Sequence, residues 1–376
     1  MKHLVFLFAI PLAACGDNVE PPIEPPIEPP IEPPVAPTPG IQFLDFPIAI
    51  DLSPDGKIAV FESVTLEDGA VAHFHDTITG DSMPVTTIGD PTRNVATGVS
   101  NAGALSALHG TPTQAGRWTA ATDWLDLGSP HAVGCGIDEV AGAFDLSSDG
   151  EVVVGLAWNG CTPDAFRWTA TTGFVRLQIL GTPFNENPPI NRATVISDDG
   201  RIAAGFAQNG GVDRSPTVWR ADGTGFMLVP DNFDEPGEVL SIDADGRTVA
   251  GQLGFDGFVW TVGTGLVRLP RLDVVLPNDP MFPNAMSADG SLIFGGLGSA
   301  FFTIPVAFVW SADAGTRALG DVVAAAGIEL PANMVLSNVS GASADGSVVI
   351  GDATDLDTGF GKTYVLRMPA GAYAVR

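Results

Sequence analysis

Residues 193–206 read ATVISDDGRIAAGF: an apolar run, a Ser-Asp-Asp-Gly turn, and a second apolar run ending at Gly205 and Phe206. Variants of this unit occur seven times, with turn glycines at Gly56, Gly103, Gly150, Gly200, Gly246, Gly290 and Gly346, spaced 44 to 56 residues apart. Asp-Gly between apolar runs is a hairpin signal, because Gly tolerates the positive φ that such turns need. The flanking runs are short and rich in Val, Ile and Phe, which suits strands and is too short for typical helices.

A second element follows each turn at a near-fixed distance. It reads AFRWTATTGFVRL in the third repeat, and its Trp recurs as Trp118, Trp168, Trp219, Trp260 and Trp310. In the first repeat His75 takes the Trp slot, and in the seventh, KTYVLRMPAGAYAV, Leu366 does. Each repeat therefore carries four short apolar segments joined by two tight Gly-containing turns. Four antiparallel strands per 40–50 residues is the signature of a propeller blade. Residues 41–376 shared among seven repeats give 48 each. The expected fold is all-β, a seven-bladed β-propeller of four-stranded antiparallel blades. Small first segments such as ATGVS (96–100) suit the crowded channel, and the tryptophans suit packing between blades.

The pattern Ala-x-x-x-Ser-x-Asp-Gly, then Val-Val-Gly, Ala-Phe-x-Trp and Gly-x-x-x-Leu, is fullest in AFDLSSDGEVVVGLAWNGCTPDAFRWTATTGFVRL (143–177). It resembles the bacterial extracellular HAF-repeat family over all of 41–376. HFHD at 73–76 is the main departure. The resemblance implies an exported, propeller-like repeat protein with no assigned reaction. SPDGKIAVF (53–61) is more weakly similar to WD40-like periplasmic propeller repeats.

Residues 1–14 read as a signal peptide: Lys2 and His3 precede an apolar stretch too short to span a bilayer. LAAC at 12–15 resembles the lipoprotein lipobox, which implies that Cys15 is lipidated and becomes the mature N-terminus; an ordinary signal peptide with a coincidental Cys is the alternative. By resemblance to enteric sorting, Gly16 favours the outer membrane. Residues 15–40 form the lipidated Cys and a linker, EPPIEPPIEPPIEPPVAPTPG, in which proline excludes helix and sheet. Its span is on the order of 65 Å at about 3.1 Å per residue.

Cys135 and Cys161 are the only other cysteines. Both fall in connections expected on one face of blade three, and an exported chain meets an oxidising compartment, so a Cys135–Cys161 disulfide is expected. Two unpaired thiols are the alternative.

The net charge is −27, from 17 basic and 44 acidic residues, which argues against nucleic acid and against adsorption to anionic lipid. Strand alternation puts the tight turns on one face and the longer connections on the other. That long-loop face is the expected binding face for an envelope protein, glycan or small ligand. Membrane contact is expected through the lipid anchor only, and the chain is expected to be a monomer. No cofactor is indicated. Weak candidates for Ca²⁺ are Asp352, Asp355 and Asp357 in DATDLD, where solvated acidic loops are far commoner. His73 and His75 share one strand face, as a zinc pair would, but no third ligand is apparent. Serines before Asp-Gly recur too regularly to be nucleophiles. Asp51, Asp145 and Asp243 fall on first strands, near the tight-turn end, where a turn or backbone partner is the simpler role.

These features point to a cell-envelope lipoprotein with a non-catalytic binding or scaffold propeller, located at the outer membrane, periplasmic or surface-exposed. The alternative is an envelope enzyme, a lyase or hydrolase, with its site at the axial mouth.

Overall fold

The computed structural model describes residues 38–374 apart from 66–68, 86–93, 111–112, 129–139, 159–161, 184–187, 211, 231–233, 274–275 and 299–303. Residues 1–37, with Cys15 and the repeated Glu-Pro-Pro-Ile stretch, lie outside the described residues, as do Cys135 and Cys161.

The rest folds as seven four-stranded antiparallel sheets, one per repeat, arranged as a seven-bladed β-propeller. Blade 3 shows the pattern. Its strands are Ala141–Leu146, Val152–Trp158, Pro163–Thr169 and Gly173–Arg176, paired in sequence order. Apolar clusters fill the space between successive blades: Val60 with Ala96 and Leu105, Val154 with Ala193 and Trp219, Ala204 with Val239 and Val249. The Trp slot lies on third strands as expected. Trp219, His75 and Leu366 are fully buried there, and the register equates them, each facing a second-strand aliphatic residue: Ala203, Ala59 and Val349.

The Ser-x-Asp-Gly turns explain their own recurrence. Ser197 donates its hydroxyl to Asp199 at 2.7 Å and accepts the Ile202 N–H at 3.0 Å. Asp199 accepts the Arg201 N–H at 2.9 Å, and Gly200 sits at φ +70°, where a side chain would be strained. Ser53, Ser147, Ser287 and Ser343 repeat the arrangement. In blade 5 Asp243 replaces the serine and accepts from Arg247 and Thr248 N–H. Asp243 thus lies just past the first strand, Gly237–Ile242, and is a turn residue.

Three features depart from the sequence reading. The fourth strand of blade 7 is Gly40–Leu44, which pairs with Gly361–Arg367 and closes the ring with the start of the domain. The AGAYA segment, 370–374, instead turns back, and Tyr373 packs edge-on against Phe294 at 5.5 Å. The connection after blade 6 contains a helix, Leu319–Ala325, because LGDVVAA places Leu319, Val322 and Val323 on one face over the core.

Candidate functional site

A first strand has a partner on one side only, so its other edge presents unpaired backbone groups to the axis. All seven first strands also carry a β-bulge. The register shifts around Ile50, Thr97, Phe144, Thr194, Leu240, Asn284 and Ser340. A bulge re-aims a side chain, and these seven residues line one axial cavity of about 340 Å³. The glycine of the Val-Val-Gly element follows from the same bulge. A Cβ on Gly205 would lie 2.1 Å from the Arg192 carbonyl oxygen, and one on Gly155 would lie 2.0 Å from that of Gly142.

Side chains bridge every step around the ring. Asp51 accepts the Val99 N–H at 2.9 Å, joining blades 1 and 2. Thr97 donates to the Ala143 carbonyl at 3.0 Å, and Asp145 accepts the Ile196 N–H at 2.8 Å. Thr194 and Arg192 bond to Glu238 of blade 5. Ser241 donates to the Pro283 carbonyl at 3.0 Å, and the Asn284 amide donates to Asn338 at 2.9 Å. Asp352 accepts the Ala49 N–H at 3.0 Å and returns the ring to blade 1.

A second set of bonds runs through the tight turns at six of the seven steps, the step from blade 4 to blade 5 excepted. Asn101, Ser148, Ala244, Ala288 and Ala344 each donate their N–H to the carbonyl of the matching residue in the next blade, at 2.7–3.1 Å. Pro54 has no N–H to give, and there Asp55 N–H donates to the Asn101 side chain at 2.8 Å.

The carboxyls at the axis are electrostatically unusual. Burial lifts Asp51 to about 7; the Val99 and Leu52 N–H groups oppose that rise, and the charge of Asp198 adds to it. Burial, reinforced by the charge of Asp51, holds Asp145 well above the usual carboxylate range. Asp198 is raised by burial and then by Asp199 and Asp243. Asp51 and Asp145 keep part of their surface open to the cavity yet are enclosed by protein, which is why few waters solvate their charge.

The acidic trio of DATDLD divides. Asp352 is an inter-blade residue, raised by burial and bonded to Ala49. Asp355 sits at a strand end, where it accepts the Asp357 N–H at 2.9 Å and the Asn333 amide at 3.0 Å. His73 and His75 are held by separate serines, Ser63 at 2.9 Å and Ser82 at 2.8 Å. Among the described residues no group of three His, Cys, Asp or Glu side chains is placed to hold a metal ion. Much of the long-loop face, including 129–139, 184–187, 231–233 and 299–303, falls outside the described residues.

Sequence reasoning missed the bulge ring and the bridging roles of Thr97, Ser241 and Asn284. The available signal was a polar residue recurring in an otherwise apolar first segment.

No protein-family model matches the chain, and no curated protein matches it. Solved structures do. An oligogalacturonate lyase from Vibrio parahaemolyticus is 12% identical, with 89% of this chain and 98% of that chain covered and a TM-score of 0.54. Virginiamycin B lyase from Staphylococcus aureus is 10% identical, with 88% and 99% covered and a TM-score of 0.50. TolB from Acinetobacter baumannii is 11% identical with a TM-score of 0.42, and this chain, 85% covered, spans 63% of it. At such identities the likeness is one of architecture: the chain shares the β-propeller fold of the two lyases.

Proposed function

We propose that this protein is an exported, HAF-repeat-like lipoprotein, tethered through Cys15 to the outer membrane, whose propeller serves as a non-catalytic binding or scaffold module in the cell envelope. The observation that carries the reading is the complete set of side-chain bridges around the axis. Asp51 and Asp145, two of the three carboxyls that line the axial cavity, are engaged in holding neighbouring blades together, and Asp352 does the same between blades 7 and 1. That leaves the loop faces of a rigid ring as the surface for recognition. The Pro-rich linker, read as a stalk, would set the ring off from the membrane.

Labelled palmitate should enter the wild-type chain, and the label should vanish in Cys15→Ser. An unlabelled wild-type chain would sink the tether.

One observation favours a second reading, an enzyme at the axial mouth. A carboxyl near neutrality in a cavity is a candidate proton donor or acceptor. Two of the proteins that share the fold are lyases. Turnover of oligogalacturonate to an unsaturated product, seen by ultraviolet absorbance and lost in Asp51→Asn, would replace the binding reading with this one.

A further inference from the structure

The seven-fold repeat lets each gap between blades be compared with its sisters. On the outer part of the ring, beside the Trp slot, most gaps are filled from within. Phe74 of blade 1 packs on Trp118 of blade 2, ring centres 5.2 Å apart. Phe226 of blade 4 packs on Trp260 of blade 5 at 5.8 Å. Arg117 of blade 2 crosses to the carbonyl of Gly150 in blade 3, and Arg167 of blade 3 to that of Gly200 in blade 4. Tyr373 enters beside blade 7 and donates to the Gly346 carbonyl at 3.0 Å.

The gap between blades 5 and 6 differs. Register equates Val259 with Phe74, and Val267 with Phe226. At both positions that supply a ring elsewhere, blade 5 therefore has valine. What remains is a cleft of about 1020 Å³ bordered by Val259, Val267, Trp310, Asp313, Asp345 and Tyr373. Val267 is 50% exposed in it. Asp313 and Asp345 are exposed on its rim, and no Lys or Arg lines it.

We propose that the cleft between blades 5 and 6 is a docking site for a basic polypeptide segment that inserts an aromatic side chain against Trp310. The sister gaps indicate the insert: a Phe ring is what this fold places on a Trp at that position. Charge complementarity indicates the flanks, since the rim is anionic on a chain of net charge −27. The proposal rests on the binding reading for its purpose but not on the tether, and the palmitate result stands whatever this cleft does.

The test follows the indole N–H signal of Trp310 in the full chain, assigned by its loss in Trp310→Phe. The probes are acetyl-Lys-Phe-Lys-amide and acetyl-Lys-Ala-Lys-amide. The Phe peptide should shift the signal saturably, about tenfold more tightly than the Ala peptide, as expected of a buried ring stacked on indole. Val267→Phe, which fills the cleft as Phe226 does in blade 4, should abolish the shift while leaving the circular dichroism spectrum unchanged. Should that variant misfold, Val259→Phe makes the same test, and Asp313→Asn should weaken the Phe peptide several-fold through its lost rim charge. Equal response to the two peptides, no saturation at about 10 mM, or undiminished binding in the filled variant would overturn the proposal.

Discussion

Asp51→Asn tests whether the axial carboxyls are held at an electrostatic cost. Burial lifts the Asp51 carboxyl from the ordinary 3.8 to about 7 in the folded chain. A group whose folded pKa is raised stabilises the fold fully below its unfolded pKa, and that stability is lost as pH rises through the folded value. One pKa unit corresponds to about 1.4 kcal/mol, so ionising Asp51 in the folded state costs at most about 4 kcal/mol once the pH is well above 7. Asparagine keeps an oxygen for the Val99 N–H but offers none to Leu52, a loss of about 1 kcal/mol. The variant should therefore be slightly less stable than wild type near about pH 4 and more stable by a few kcal/mol near about pH 8.5, with the curves crossing between. Urea unfolding across this range reads the difference directly. A gap between variant and wild type that stays constant from about pH 5 to about pH 8.5 would refute the reasoning, since Asp51 would then titrate alike in both states.

Two further outcomes follow from other parts of the ring. His75 is fully buried, its Nε2 has no hydrogen-bond partner, and burial holds its pKa below the usual histidine range. Its contribution is thus present above about pH 6.5 and lost as pH falls below that value; His75→Leu, which copies Leu366 of blade 7, should flatten that acid loss in thermal melts, and an unchanged acid limb would count against it. Deleting residues 40–44 strips the partner from Gly361–Arg367 and exposes a strand edge. The midpoint of thermal unfolding should fall by roughly 10 °C or more and the shortened chain should aggregate on heating; an unshifted midpoint would show that ring closure does not depend on this strand.

What could be read in the sequence was whatever its local chemistry repeats. Ser197, Asp199 and Gly200 form a turn through bonds spanning five residues, so seven variants of that turn announce seven hairpins wherever they sit in space. The Trp slot was legible for the same reason, including its occupation by His75 and Leu366. Spacing then counted the blades, and strand alternation sorted the connections into two faces. The tertiary structure decided everything that depends on the ring closing. Gly40–Leu44 pairs with a strand more than 300 residues away, and nothing in GIQFL distinguishes it from the other apolar runs. The bulges that turn Ile50, Phe144 and Thr194 to the axis arise from register between neighbouring strands. Asp51, Asp145 and Asp243 look alike in sequence, but only the first two meet a backbone N–H of the next blade. The empty gap between blades 5 and 6 is visible only by contrast with its filled sisters. Hydrogen bonds within a turn are specified by neighbours along the chain; those between blades are specified by packing, which sequence spacing does not encode.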